Sequence, residues 1–204
     1  MSRQIFQLKM TLAGTRPPVW RRVLVPAGYT LDRLHRVAQH AMGWRDCHLH
    51  SFEIDAVQYG EPDPDGELAL HDELDVRLDA VLGKGSRFSY TYDFGDWWEH
   101  DLVVEDALTA DPDERYPVCL AGERACPPEG VGGPSGYQAL LEALDDATAA
   151  ADVVGSRHAM LRDWAGSTFD PSRFDPDRAT ILLRRFSLSA SHPLLIKKRT
   201  VLVG

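Results

Sequence analysis

The stretch YTYDFGDWWEHDLVVE, residues 90–105, carries the clearest structural pattern in this chain of 204 residues. Aromatic residues at positions 88, 90, 92 and 94 alternate with Ser89, Thr91 and Asp93, which is the period-two pattern of a half-buried strand. Gly95-Asp96 separates this run from a second one over residues 97–105, and a Gly-Asp pair in that position is a hairpin signal. The sequence therefore predicts an aromatic β-hairpin.

A two-residue turn at Gly95-Asp96 would set the register of this hairpin and thereby its two faces. One face would be aromatic yet carry two acids, through the opposed pairs Phe94 and Trp97, Tyr92 and Glu99, Tyr90 and Asp101, and Phe88 and Val103. The other face would hold Trp98 and would place Asp93 diagonal to His100. A carboxylate beside an imidazole fixes its tautomer in metal sites and catalytic bases, although a structural histidine at the edge of an aromatic core is more common.

The same stretch contains Asp93-Phe94-Gly95, the residue types that hold magnesium in protein kinases. A kinase also needs a glycine-rich phosphate loop and a catalytic loop with its own aspartate, and the chain has no GxGxxG or HRD-type segment. A G-x-S-x-G nucleophile elbow is missing as well. We therefore reject a kinase and disfavour a Ser/His/Asp hydrolase.

Strand patterns come first in the chain and helix patterns later, which predicts an α+β fold. Residues 4–12 and 19–25 alternate as two strands, and Thr30 and Gly43 bracket a helical stripe, so the chain opens with a β-β-α unit. Residues 50–57 predict a further strand of an antiparallel sheet that includes the aromatic hairpin.

Loops and helices dominate the rest of the chain. Residues 60–86 predict loops with one short strand, and the proline- and glycine-rich stretch from Asp111 to about 134 predicts a long loop. Three helical stripes follow: one after a Ser135/Gln138 capping box, one closed by Gly166, and one opened by Asp175-Pro176. We predict one domain over residues 1–186, with a helical subregion at about 135–186, and a C-terminal tail over residues 187–204.

Charge and cysteine content restrict the environment and the partners. The formal net charge is −9, but residues 1–46 hold eight Lys/Arg against two acids, so the rest of the chain carries −15. This balance disfavours a nucleic-acid partner, although a basic N-terminal helix with Arg33, Arg36 and Arg45 keeps such a partner open. No apolar run is long enough to cross a membrane, and three scattered cysteines do not form a disulfide framework. A cytoplasmic setting fits best.

Histidine and cysteine clusters suggest a metal site. His48 and His50 would point the same way on an extended chain, and two such imidazoles can share a metal. Six residues separate Cys119 from Cys126, which is longer than the spacing of zinc ribbons. Together with His100 these residues offer a mixed nitrogen and sulfur site that would suit zinc, while each pair alone is more often structural.

Five motifs occur in an order that resembles the plasmid pRiA ORF-three-like family. They are PPVWRRVLVPAGYTLDRLHRVAQHAMGW (17–44), HLHSFEI (48–54), the hairpin stretch, PVCLAGERACPPEGVGG (117–133) and FDPSRFD (169–175). The resemblance covers roughly residues 3–186 and implies a compact α+β domain. Members are often labelled insertion-element passenger (TnpR-type) proteins, a label that implies association with plasmids and other mobile elements. It implies no catalytic residues.

Two functional hypotheses remain open at this level. The first is an accessory binding module for a protein or peptide, because aromatic side chains beside acids suit such an interface. Its groove would be lined by Tyr90, Tyr92, Asp93, Trp97, Trp98, Glu99, His100 and Glu129. The second is a zinc-type hydrolase in which His48, His50 and His100 bind the metal and Asp93 or Glu99 is the base. The hydrolase requires these groups to converge on one point, and the binding module does not.

Overall fold

The computed structural model describes residues 4–62, 70–145 and 157–188 as a mixed α+β structure. In chain order its elements are β1 Gln4–Leu12, β2 Val19–Pro26, α1 Leu31–Met42, β3 His50–Ile54, β4 Val57–Gly60, β5 His71–Asp72, α2 Leu78–Val81, β6 Arg87–Tyr92, β7 Trp98–Thr109, β8 Val118–Glu123, α3 Gly133–Asp145, α4 Arg157–Ala165 and α5 Pro176–Leu188. The strands form one eight-stranded sheet in the order β5-β4-β3-β6-β7-β1-β2-β8. Every pairing is antiparallel except that of β4 with β5. The predicted α+β class is confirmed.

The opening β-β-α unit follows the sequence pattern closely. Alternate residues of β1 and β2 face the core, and Leu8 and Val23 lie opposite each other with no exposed surface. Helix α1 contacts β2 and β4 and covers that face, whereas outward residues such as Lys9 remain half-buried. Gly43 ends α1 with φ of 99°, a backbone conformation that side-chain-bearing residues rarely adopt.

The predicted two-residue hairpin turn is wrong. Residues 93–97 form a longer loop, closed by a hydrogen bond from the Trp97 N–H to the Asp93 carbonyl at 2.6 Å. Asp93 and Trp97 both have positive φ, 58° and 56°. The resulting register opposes Tyr92 with Trp98, Tyr90 with His100, and Phe88 with Leu102. Because a one-residue shift reverses the faces of a strand, Trp98 and His100 enter the aromatic core, whereas Trp97 and Glu99 turn outward.

The second half of the chain departs from prediction in two places. Strand β8 lies within the segment predicted as a long loop, and it pairs with the edge of β2. The Ser135/Gln138 capping box does not form, because α3 already begins at Gly133 and the Ser135 hydroxyl donates to the Gly132 carbonyl instead. The Asp175 carboxylate does cap α5, since it accepts the N–H groups of Asp177 and Arg178 at 3.0 Å.

Helix α5 extends to Leu188, past the predicted domain boundary at 186. The rest of the predicted tail, residues 189–204, lies outside the described residues. Within the described ranges, no helix is both long enough and apolar enough to cross a membrane.

Candidate functional site

Tyr92, at the end of β6, connects three segments of the chain. Its hydroxyl donates to Glu129 Oε1 at 2.8 Å and accepts the Cys47 N–H at 3.1 Å. Glu129 Oε1 also accepts the Arg45 N–H at 3.0 Å. Burial raises the pKa of Tyr92 above its ordinary value, and the bond to Glu129 adds to this, so the phenol keeps its proton and donates it. Two predicted groove residues, Tyr92 and Glu129, therefore contact each other directly.

The hairpin loop, residues 93–97, is held by its own acids. Asp93 Oδ1 accepts the Gly95 N–H at 3.0 Å, and Oδ2 lies 3.5 Å from His48 Nε2. Asp96 Oδ2 accepts the Gly132 N–H at 3.1 Å, which ties the loop to the segment before α3. These contacts hold the loop backbone from two sides.

Trp97 is displayed on this loop with 57% of its surface exposed. Its ring packs beside Phe94 at 5.9 Å between centroids. Leu49 is also 57% exposed, and its carbonyl accepts the Asp93 N–H at 2.8 Å, so this second apolar side chain lies next to the loop. The loop therefore presents an apolar surface among acids.

Four predicted groove residues are not available to a partner. They are Tyr90, Tyr92, Trp98 and His100, which have at most 1% of their surface exposed. The predicted pairing of His100 with Asp93 is also wrong, since His100 Nδ1 lies 3.2 Å and 3.0 Å from the carbonyl oxygens of Tyr90 and Trp98. Burial lowers the pKa of His100 to about 4, so the ring is neutral and carries its proton on Nδ1, where only acceptors face it.

The five predicted metal ligands lie apart. His48 faces Asp93 at the surface, whereas His50 is buried, bonds to Glu73 at 2.9 Å and stacks on His35. Cys119 and Cys126 are free thiols whose pKa values burial raises, that of Cys119 to about 11. Across residues 4–62, 70–145 and 157–188, no group of three His, Cys, Asp or Glu side chains is placed to hold a metal ion. The convergence that a zinc hydrolase requires is not found there.

A buried polar network beneath the loop was missed at the sequence level. His35 Nε2 bonds to Asp46 at 2.7 Å and its Nδ1 to the Tyr90 hydroxyl at 2.8 Å. Gln39 donates to the same hydroxyl at 2.9 Å. Burial lowers the pKa of His35 to about 4, so the network rests on a neutral imidazole. The available signal was the position of His35 and Gln39 in phase with the apolar stripe of α1.

A cleft of about 810 Å³ opens on the other side of Glu129. It lies between the C-terminal end of α1, the loop after β8 and the connection from α4 to α5. Its lining includes these aromatic and cationic residues: Arg21, Trp44, Arg45, Trp164, Phe174 and Arg178. Sequence patterns did not indicate this cleft, because its walls come from distant parts of the chain.

Comparisons with known proteins agree with the fold. The sequence profile of the plasmid pRiA4b ORF-3-like proteins matches residues 4–178. The chain is 42% identical over 170 residues to the uncharacterized protein y4hQ of Sinorhizobium fredii (strain NBRC 101917 / NGR234), covering 82% of this chain and 84% of that relative. It is also similar to the crystal structure of MM3350, a protein of unknown function from Methanosarcina mazei Go1. The TM-score is 0.76 at 34% identity, over 87% of this chain and 98% of the other.

Proposed function

This chain belongs to the plasmid pRiA4b ORF-3-like protein family, as its motifs predicted, and we propose that it is an accessory binding module for a protein partner. The family description, which refers to a plasmid, supports an association with plasmids. The free thiols of Cys47, Cys119 and Cys126 support a reducing, cytoplasmic setting. The proposed contact surface is the hairpin loop, residues 93–97, together with Leu49.

One observation carries this proposal: Trp97 is 57% exposed on a loop whose conformation is already held by hydrogen bonds. Burying an indole is worth about 2–3 kcal/mol, and tryptophan is among the residues that dominate interface energies. A loop that is ordered before binding loses little conformational entropy when a partner docks. The loop therefore has the properties of an interface anchor.

The chemistry around Trp97 specifies the kind of partner. Asp96 precedes Trp97 in the chain, the exposed Glu99 follows it by two residues, and the whole chain carries a net charge of −9. A protein segment with an apolar side chain next to Lys or Arg complements both features. Arg21 is buried, and Arg22 pairs with Glu105 at 2.6 Å, so the basic N-terminal region offers less free charge to nucleic acid than its sequence indicates.

A peptide-display selection on the purified chain tests the proposal. We expect enrichment of peptides that place Leu, Phe or Trp beside Lys or Arg, with binding reduced at least about tenfold by Trp97→Ala. Glu99→Gln should weaken the lysine-containing peptides about two- to threefold, because it removes one rim charge.

Trp164→Ala is the matched control, since Trp164 is 49% exposed but lies in the cleft and not at the loop. Selected peptides that bind Trp97→Ala as tightly as the wild-type chain would exclude the loop as the contact surface. A selection that enriches no apolar and basic peptides would contradict the proposed partner class.

A further inference from the structure

Arg21 is a buried cation that has no carboxylate partner among the residues that the structure describes. It occupies an inward position of β2 and only 1% of its surface is exposed. Its Nε donates to the Ala41 carbonyl at 2.9 Å, and its Nη1 donates to the carbonyls of Trp20 and Glu123 at 2.8 and 2.9 Å. Its guanidinium lies over the Phe174 ring at 3.8 Å. Buried charges are nearly always paired with an opposite charge, so this arrangement is incomplete without an anion.

The unused edge of Arg21 indicates where that anion would bind. Within residues 4–62, 70–145 and 157–188, Nη2 forms no hydrogen bond and no carboxylate lies within ion-pairing distance. Arg21 also lines the cleft of about 810 Å³ described above, a size within the range of small-molecule sites. Desolvation lowers the pKa of Arg21, but a guanidinium remains charged at neutral pH.

The rim of the cleft adds further cations. Arg45 and Arg178 line it and are exposed, and their guanidinium groups form no hydrogen bond or ion pair with any described residue. The three acids of the lining already accept hydrogen bonds: Glu129 from Tyr92 and the Arg45 N–H, Asp170 from Ser172, and Asp175 from the first turn of α5. The cleft therefore contains guanidinium groups without an ion-pair partner among the described residues, and carboxylates that already accept hydrogen bonds.

From this arrangement we infer that the cleft binds a small phosphate monoester attached to a planar ring. Several guanidinium groups match a phosphate dianion better than a single carboxylate, and they form paired hydrogen bonds to its oxygens. The half-exposed Trp164 supplies a flat surface on which a ring stacks. A nucleoside monophosphate has both parts. This site is separate from the hairpin loop and does not depend on the proposed protein partner.

Isothermal titration of the full chain with adenosine 5′-monophosphate, adenosine and inorganic phosphate tests the inference. We expect the monophosphate to bind at least about tenfold more tightly than phosphate, and adenosine to bind more weakly still. Arg178→Gln and Arg45→Gln should each weaken the monophosphate about tenfold, and Trp164→Ala should bring its affinity close to that of phosphate.

Two control variants show whether a loss of binding arises in the cleft, and not from a general loss of positive charge or from a change in the hairpin loop. Arg87→Gln removes the same charge at an exposed position outside the cleft and should leave binding unchanged. Trp97→Ala should also leave it unchanged. The inference is overturned if the monophosphate does not bind at millimolar concentration, if it binds no better than phosphate, or if Arg178→Gln and Arg87→Gln behave alike.

Discussion

The hairpin loop and the cleft leave opposite kinds of group unsatisfied. At the loop, an apolar indole is exposed to water among acids; in the cleft, a cation is buried among aromatic rings and carbonyls. Glu129 lies between them, since it bonds Tyr92 below the loop and also lines the cleft. The difference matches the two ligands proposed above, which have opposite charge: a basic protein segment at the loop and a small anion in the cleft.

The largest effect should come from the neighbouring tryptophans of the hairpin. Trp98 is 1% exposed, so Trp98→Ala should lower the free energy of unfolding by about 4 kcal/mol through lost packing and a cavity. Trp97→Ala should change it by less than about 0.5 kcal/mol, because the side chain is mostly in water. Urea denaturation measures both, and similar values for the two variants would contradict the register of the sheet.

The second-largest loss of stability should follow replacement of Arg21, because this residue has a structural role besides the one inferred for the cleft. Arg21→Met would leave the carbonyls of Ala41, Trp20 and Glu123 without their donor. We expect a loss of about 3 kcal/mol, reduced in part because a desolvated charge is also removed. Urea denaturation with Arg178→Gln as the exposed control measures this. A variant as stable as wild type would mean that the three hydrogen bonds make no net contribution to the free energy of unfolding.

Acid should destabilise the core below the loop. His35 and His100 have pKa values lowered by burial to about 4, below the ordinary value of 6.5, so the unfolded chain binds more protons between these values. Stability should therefore fall as pH falls from 6.5 towards 4, by roughly 2 kcal/mol per histidine between pH 7 and pH 5. His48→Gln, at the exposed histidine, should keep this decline. A flat profile of the free energy of unfolding between pH 7 and pH 5 would show that neither ring is buried neutral.

The smallest effect should be at Gly133, which lets α3 approach the loop. A Cβ at this position would lie 2.4 Å from the Asp96 carbonyl oxygen, and φ is 67°. Gly133→Ala should cost about 1–2 kcal/mol and displace the loop, so peptide binding should fall more than stability does. Gly43→Ala has a similar positive φ but open space around it, and it should leave peptide binding intact. Equal peptide affinity in both variants would argue against a pre-ordered loop.

Local sequence patterns predicted most of the helices and strands. They failed where the structure depends on a contact between residues that are far apart in the sequence. Alternation and capping residues located β1, β2, α1 and α5, because these depend on neighbours in sequence. Strand β8 was missed since its glycine-containing stretch forms a strand only by pairing with β2, where Gly122 lies against the Phe174 ring. Of the predicted groove, Tyr92 bonds to Glu129, but Tyr90, Tyr92, Trp98 and His100 all lie in the core, whereas Trp97 and Glu99 are exposed.

The sequence alone determined the family, the α+β class and the existence of an aromatic hairpin, because composition, motif order and period-two alternation are local properties. Tertiary structure decided which tryptophan is exposed, which histidines are buried and which cleft Arg21 lines. The physical reason is that one residue of register exchanges the two faces of a strand. That register depends on the positive φ angles of Asp93 and Trp97, which the fold stabilises through Leu49, Gly132 and the core beneath them.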